Sequence, residues 1–257
     1  MAAYKVISDP FRRALRSKEI EEMRSLEAKG DIAIRHLSEE DWKVFSESFV
    51  YDTNAIEGYS VTFTEVRGIL EKEKWPQEKE KCEISETYGV KDAIDYIRKT
   101  KDHVSLDLIK ELHRISFRNS KSFAGEFRTK GQEVAVVDSH GRIIHRGAPS
   151  TMVIKLLKEI VSWYDKNKGK YPPIVLATVV HNQFENIHPF ADGNGRVGRL
   201  LLNNILFKHD KPPVNIELKN RREYYTTLRE YENNGNIRPM IELILKEYKN
   251  LKRMLKR

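Results

Sequence analysis

The segment that decides the fold spans residues 188 to 199 and reads His188-Pro189-Phe190-Ala191-Asp192-Gly193-Asn194-Gly195-Arg196-Val197-Gly198-Arg199. It combines one imidazole, one carboxylate, three glycines and two arginines. Glycine allows a positive φ and a close approach of the backbone to a ligand. Where such a turn leads into a helix, free backbone N–H groups and the helix dipole favour an anion. The segment therefore predicts a phosphate-binding loop ahead of a helix.

The side chains of this segment indicate phosphate-transfer chemistry. Arg196 and Arg199 are three residues apart, so both can face one side of a helix and pair with phosphate oxygens. Asp192 offers an oxygen ligand suited to Mg²⁺ that is shared with phosphates. His188 can accept a proton near neutral pH. Together these groups are the components of phosphoryl or nucleotidyl transfer.

Two other interpretations of the segment fit it less well. Its glycines match the Gly-x-Gly-x-x-Gly pattern of dinucleotide-binding folds, but that pattern needs a preceding strand. The preceding run, residues 174–187, is too long for a typical strand. A zinc site formed by His181, His188 and Asp192 fits helical spacing, yet the glycines and arginines favour phosphate over a closed metal site.

Outside this segment, helical periodicity dominates the chain. The run 174–187 is apolar on most faces in its first half, which predicts a buried central helix. Thr62 and Glu65 have the spacing of a capping box and predict a helix start. Further helices are predicted over residues 39–56, around 90–97 and 108–115, and over 153–164, 197–207, 222–231 and 241–255.

One stretch has the pattern of a β-hairpin. The β-branched residues 134–137 precede a turn at 138–141, and residues 142–145 return. The first 35 or so residues are charged and weakly periodic, and we treat them as an N-terminal arm of uncertain order.

Composition narrows the class of protein. The chain has 257 residues, of which 33% are charged and 39% hydrophobic, with one cysteine and a net charge of +8. A globular core is expected, and no apolar run approaches the roughly 18 residues that span a bilayer. The absence of a signal segment and the single Cys82 favour the cytoplasm. The basic charge is compatible with nucleic acid, nucleotides or acidic proteins as partners.

The central segment is a full match to the Fic motif, His-x-Phe-x-Asp/Glu-Gly-Asn-Gly-Arg-x-x-Arg, so the chain resembles the Fic (Fido) family of protein adenylyltransferases. Residues 184–187 are similar to the helix that precedes the motif in that family, and residues 125–128 with the hairpin are similar to its flap. Tyr224, Tyr225 and the stretch 233–235 are similar to its nucleoside-binding helix. The resemblance implies a mainly α fold, a helical bundle around a central helix–loop–helix with one β-hairpin flap.

The resemblance also implies an activity. Fic proteins bind ATP with Mg²⁺ and usually transfer AMP to a hydroxyl group of a target protein. Carried onto this sequence, His188 is the general base that deprotonates a target Ser, Thr or Tyr, and Asp192 holds the metal. The implied ATP-binding residues are Asp192, Gly193, Asn194, Gly195, Arg196, Gly198, Arg199, Tyr224, Tyr225 and Asn233. The implied flap residues, which would align the target segment by strand addition, are Val136, Val137 and His145.

A second family pattern, Ser/Thr-x-x-x-Glu-Gly/Asn, fits residues 53–58. In the family this helix is inhibitory and its glutamate pairs with the second motif arginine, which here implies a pair between Glu57 and Arg199. The implied inhibitory residues are Thr53, Glu57 and Gly58. An arginine cannot give its two-pronged guanidinium both to a carboxylate and to a γ-phosphate, so such a pair would act as a brake within one chain.

These observations predict three regions: an arm over 1–38, a region with the inhibitory helix over 39–75, and a catalytic core with C-terminal helices over 76–257. The expected partners are ATP and a protein substrate. Self-modification and a homodimer are compatible with the sequence, whereas a membrane or nucleic acid is not expected. Removal of AMP with the help of Glu57, transfer of another nucleotide or phosphate group, and nucleic-acid binding remain alternatives.

Overall fold

The computed structural model describes residues 4–6, 8–10, 15–29, 37–137 and 140–255. Within these ranges the chain forms ten α-helices, two short 3-10 helices and one antiparallel pair of strands. In chain order the elements are α1 (Ser17–Lys29), α2 (Glu39–Ile56), α3 (Phe63–Lys72), α4 (Lys81–Lys99), α5 (Leu106–Phe117), β1 (Ala135–Val137), β2 (Ile143–Arg146), α6 (Val153–Asn167), α7 (Pro173–Ile187), α8 (Asn194–Lys208), α9 (Arg221–Asn234) and α10 (Arg238–Leu255), with 3-10 turns at Ser150–Met152 and Leu218–Asn220.

Helices α7 and α8 form the centre of the molecule. Every residue of α7 from Ile174 to Ile187 is buried, as are the residues of α8 from Asn194 to Phe207. The two helices pack against each other, with α2, α4 and α5 against α8 and with α6, α9 and α10 against α7. The predicted buried central helix is confirmed, and so is the mainly helical fold.

Local signals in the sequence place several helix ends. Ser38 caps α2 by accepting a hydrogen bond from the Asp41 backbone N–H. The capping box of Thr62 and Glu65 opens α3 as predicted. Helix α8 begins at Asn194, three residues before the predicted start at 197, because Gly193 takes a left-handed conformation (φ 80°) and turns the chain directly into the helix. The central loop is therefore short.

The predicted hairpin is confirmed. Ala135 pairs with Arg146, Val136 with His145 and Val137 with Ile143, and the register shifts between Val136 and Val137. The turn begins at residues 138 and 139, which lie outside the described residues.

The predicted arm contains a helix, α1, that packs against α10. Met23 is buried against the core, and Glu22 lies 3.3 Å from the Lys249 ammonium. The sequence pattern of the arm did not predict this helix, because its apolar residues are weakly periodic. Most of the stability of such a helix comes from its packing against the rest of the protein. The boundaries at 38/39 and 75/76 stay a proposal. No helix in the described part of the chain combines the length and apolar character that a bilayer crossing requires.

Candidate active site

A tight loop joins α7 to α8 and is locked by its own side chains. His188 ends α7 in a left-handed conformation (φ 55°), and Gly193 repeats that conformation before α8. The side-chain amide of Asn194, the first residue of α8, accepts a hydrogen bond from the Phe190 N–H (2.8 Å) and donates one to the Phe190 carbonyl (2.9 Å). Phe190 is fully buried and stacks on the His113 ring at 3.9 Å between centroids.

Arg128 fixes this loop to the base of the hairpin. Its buried guanidinium donates to the carbonyls of Ile187 (3.1 Å), His188 (2.7 Å) and Ala148. Its own backbone N–H donates to the Pro189 carbonyl at 3.0 Å. Arg128 therefore fixes the position of the start of the loop relative to the end of the hairpin.

His188 presents a proton-accepting nitrogen. Its Nδ1 lies 3.2 Å from the Glu185 carbonyl oxygen, which can only accept a hydrogen bond. Nδ1 therefore carries the proton, and Nε2 keeps its lone pair. Burial, followed by the nearby charge of His145, lowers the pKa of His188 to about 4. The imidazole is consequently neutral at physiological pH and able to act as a base.

The start of α8 provides the environment for an anion. The first hydrogen bond within the helix runs from the Val197 N–H to the Gly193 carbonyl (3.1 Å), so the N–H groups of residues 194–196 precede it. Such N–H groups and the positive end of the helix dipole favour phosphate. Asp192 adjoins them with a half-exposed carboxylate whose Oδ1 accepts the Gly193 N–H at 2.7 Å.

Arg199 is held on one side of this site by α2. Its Nη2 lies 2.6 Å from Glu57 Oε1, and the same nitrogen donates to the Thr53 carbonyl at 2.9 Å. Its Nε donates to Thr53 Oγ1 at 2.6 Å. Although burial disfavours its charge, the Glu57 carboxylate raises the pKa of Arg199 above the usual value. The geometry thus contains the predicted contact between Glu57 and Arg199.

Glu57 also lies against the first turn of α8. A Cβ added to Gly195 would lie 2.2 Å from Glu57 Oε1, so only glycine leaves room for this carboxylate. The carboxylate is an anion placed at the positive end of a helix, where the dipole stabilises it.

Arg196 points to a different partner. Its side chain is buried and pairs with Glu86 of α4, and Tyr59 contacts both groups. It therefore anchors the first turn of α8 to α4.

A cavity collects many of the residues predicted for the site. Those that line it are Glu57, Val136, His145, His188, Asp192, Gly193, Asn194, Gly195, Arg199, Tyr224 and Tyr225. Those that lie outside its lining are Thr53, Gly58, Val137, Arg196, Gly198 and Asn233. Gly198 instead faces Glu185, whose Oε1 would lie 2.0 Å from an added Cβ.

Comparison with known proteins identifies the fold that carries this cavity. Residues 103–206 match the model of the Fic/DOC family, a range that includes the loop and most of α8. The protein adenylyltransferase fic-1 of Caenorhabditis elegans is 34% identical over 205 residues, which are 77% of this chain and 39% of that protein. The protein adenylyltransferase Fic of Nematostella vectensis is 32% identical over 201 residues, 76% of this chain and 45% of that protein. The chain belongs to the Fic family.

The solved structures agree with this assignment. A fragment of Fic-1 from C. elegans superposes with a TM-score of 0.77 at 28% identity, covering 93% of this chain and 72% of that chain. The fold described above is therefore the Fic fold. The chain spans about two fifths of the length of the curated relatives it matches.

Several groups in this Fic site were not predicted from the sequence, among them Glu185, Glu86 and Lys121. Glu185 lines the cavity from α7, is buried, and has a pKa that burial raises to about 8. Glu86 holds Arg196, and Lys121 lies 2.9 Å from Asp192 Oδ2. Glu185 falls in a stretch that the sequence already singled out, three residues before His188. Glu86 and Lys121 carry no motif, and only the packing of α4 and of the loop after α5 brings them to the site.

Proposed function

We propose that this chain is an autoinhibited protein adenylyltransferase that transfers AMP from ATP to a Ser, Thr or Tyr hydroxyl of a protein. The observation that carries the proposal is a neutral His188 whose Nε2 lone pair shares a cavity with the start of α8 and with Arg199. The names of the C. elegans and N. vectensis relatives support the same activity. ATP and a protein substrate are the proposed partners, and the cytoplasm is the proposed compartment.

The proposed reaction is an in-line displacement at the α-phosphorus. The target hydroxyl oxygen forms a bond to phosphorus while the bond to the bridging oxygen of the β-phosphate breaks, which releases pyrophosphate. His188 Nε2 takes the hydroxyl proton. The N–H groups at the start of α8 would hold phosphate oxygens, and Arg199 would pair with the γ-phosphate. Strand β1 or β2 of the flap would align the target segment.

The residues present fit a magnesium ion. Mg²⁺ in nucleotide sites is bound by one or two carboxylates, with phosphates and water as its other ligands. Asp192 provides one such carboxylate beside the phosphate-binding turn, and the described residues contain no cluster of three or more metal-ligating side chains that would form a closed protein site. When bound, the ion would offset the charge of the triphosphate.

The brake follows from the contact of Glu57 with Arg199 and with Gly195. While the carboxylate holds Arg199, that guanidinium is not available to the γ-phosphate, and the carboxylate repels the phosphate. ATP would then bind with its α-phosphorus displaced from the line of attack. A displacement of about 1 Å can cost on the order of 100-fold in rate.

We expect Glu57→Gly to raise AMP transfer, including self-modification, by on the order of 100-fold, and His188→Ala to abolish it. Labelled ATP with Mg²⁺ and a cell lysate would be incubated with wild type, with Glu57→Gly and with Glu57→Gly combined with His188→Ala. Mass spectrometry for added AMP would identify the modified hydroxyls. Equal labelling by wild type and Glu57→Gly would refute the brake, and labelling that persists in the double variant would refute the role of His188.

A second activity, removal of AMP from a modified protein, is supported by the position of Glu57 on the cavity wall. Its partly exposed carboxylate could accept a proton from a water whose oxygen bonds to the phosphorus while the bond from phosphorus to the protein side-chain oxygen breaks. Return of that proton to the departing oxygen would release AMP and the free hydroxyl. The same variants, given a protein already carrying labelled AMP, would measure this reaction. A panel of labelled nucleotides tests the preference for ATP. Binding to nucleic acid over a series of salt concentrations tests the alternative that the chain is a nucleic-acid-binding protein.

A further inference from the structure

The carboxylate that would bind the metal already has a cationic partner. Oδ1 of Asp192 accepts the Gly193 N–H at 2.7 Å, which fixes the orientation of the carboxylate. Oδ2 lies 2.9 Å from the Lys121 ammonium. Lys121 follows α5 and is about three quarters buried, with a side-chain exposure of 24%. An ammonium group therefore lies against the oxygen that a divalent cation would use.

Lys121 also has a second acceptor within reach. Its Nζ lies 3.5 Å from Oε1 of Glu86. That oxygen is buried and accepts no hydrogen bond from the described part of the chain, whereas Oε2 of the same carboxylate contacts Arg196 and Tyr59. A buried carboxylate oxygen without a hydrogen bond is costly, so Glu86 Oε1 offers the ammonium group a favourable alternative position.

We propose that Lys121 is the counter-ion of Asp192 in the metal-free protein and that it moves to Glu86 Oε1 when a divalent cation binds Asp192. The inference rests on the proposed function for the metal role of Asp192. Lys121 is a positioning residue in this scheme, since its effect on the reaction passes through Asp192 and the cation.

The exchange has a consequence for selectivity. A divalent ion that arrives alone must displace Lys121 and then lie close to its positive charge and to that of Arg196, whose Nη2 is 3.9 Å from Asp192 Oδ1. A metal–nucleotide complex brings phosphate charges that offset this repulsion. Lys121 therefore disfavours the bare ion and favours the ion that enters with its nucleotide.

The test measures metal binding without nucleotide. Mn²⁺ serves as the probe, and its bound fraction is followed by electron paramagnetic resonance in wild type, Lys121→Met, Lys121→Arg and Asp192→Asn. Lys168→Met is the matched control, because Lys168 forms an ion pair of the same 2.9 Å length with Asp165, whose side-chain exposure of 51% is close to the 50% of Asp192.

We expect Lys121→Met to bind Mn²⁺ on the order of tenfold more tightly than wild type, because a screened unit charge no longer opposes the ion. Lys121→Arg and Lys168→Met should resemble wild type, and Asp192→Asn should remove the site in both the wild-type and the Lys121→Met background. Thermal melting checks that each variant is folded.

Equal or weaker Mn²⁺ binding by Lys121→Met, or a site that survives Asp192→Asn, would overturn the proposal. So would the absence of any site in Lys121→Met. The titration contains no nucleotide and no target protein, so it is independent of AMP transfer. If Glu57→Gly transfers no AMP while Lys121→Met binds Mn²⁺ more tightly than wild type, the proposed function is refuted and the role of Lys121 stands.

Discussion

The proposed base is an imidazole that stays neutral below the usual pKa of histidine. Burial, and then the charge of His145, lower the pKa of His188 to about 4. We expect kcat/KM of the Glu57→Gly variant to stay nearly constant from about pH 8 to about pH 5 and to fall only near pH 4, because kcat/KM follows the ionisation of the free enzyme. Initial rates of labelled-AMP incorporation across this range measure the profile.

The acidic end of that profile needs a folding control. His113, His181 and His188 have folded pKa values of about 4, 3 and 4, below the ordinary 6.5. Between these values and 6.5 each of the three histidines binds more protons in the unfolded state than in the folded state, so their contribution to the free energy of unfolding decreases as the pH falls through this window. Circular dichroism at each pH separates unfolding from loss of the base. Half-loss of activity near pH 6.5 in a folded sample would contradict the assignment.

Whether the role of a residue in the site could be predicted from the sequence depends on whether its partners are close to it along the chain. His188, Asp192 and Arg199 lie within one segment, so spacing alone indicated their joint chemistry. The pair of Glu57 and Arg199 bridges 142 positions, and only the family resemblance implied it. Lys121 and Glu86 meet only through the packing of separate elements. Neither belongs to a motif, and the sequence does not distinguish them from the other lysines and glutamates of a chain in which 33% of the residues are charged.

Helix α2 carries the brake at its C-terminal end, where a negative charge is unfavourable. Its last turn contains no basic residue. Helix α9 provides the compensation: Arg221 Nε donates to the Ile56 carbonyl at 2.8 Å, and the Tyr225 hydroxyl donates to the same oxygen at 3.3 Å. Together with Arg199, these contacts hold the end of α2 and therefore the position of Glu57.

Arg221→Ala is expected to weaken the brake partially. Loss of a cation at a helix C-terminus costs about 1 kcal/mol, which corresponds to a roughly fivefold change in the population of the Glu57–Arg199 contact. AMP transfer should rise by about that factor, less than in Glu57→Gly. The rate of labelled-AMP incorporation is the measurement. Arg222→Ala, at the exposed neighbouring position, is the control, and a rate in Arg221→Ala no higher than in that control would rule out the role of α9.

Periodicity predicted the helices well because each buries an apolar stripe that repeats within its own sequence, as in α2 with Trp42, Phe45 and Phe49. The ends were harder where the conformation of the preceding loop sets them. Helix α8 starts at Asn194 because Gly193 turns the chain into the helix and the Asn194 amide bonds the backbone of Phe190. Pattern analysis places a helix start at an apolar repeat, and here the repeat begins later, at Val197.

The site lies where most of the fold converges. Helices α7 and α8 provide the loop, α2 the brake, α9 the far wall of the cavity and the hairpin its cover. Because α7 and α8 are buried along nearly their whole lengths, both ends of the loop between them are fixed by packing. Mobility for catalysis is therefore expected at the end of α2 and in the hairpin, which line the cavity beside the loop.

The N-terminal arm contributes to the stability of this assembly although it lies outside the site. Met23 of α1 is 1% exposed and packs into the core cluster, and the Tyr4 carbonyl accepts a hydrogen bond from Gln183 of α7 at 2.9 Å. Met23→Ala should lower the free energy of unfolding by about 2 kcal/mol, since a buried methionine loses its contacts and leaves a cavity. Met152→Ala, at a position 36% exposed, should change it by less than about 0.5 kcal/mol. Urea unfolding of both variants measures the difference, and equal midpoints would mean that α1 docks too weakly to stabilise the core.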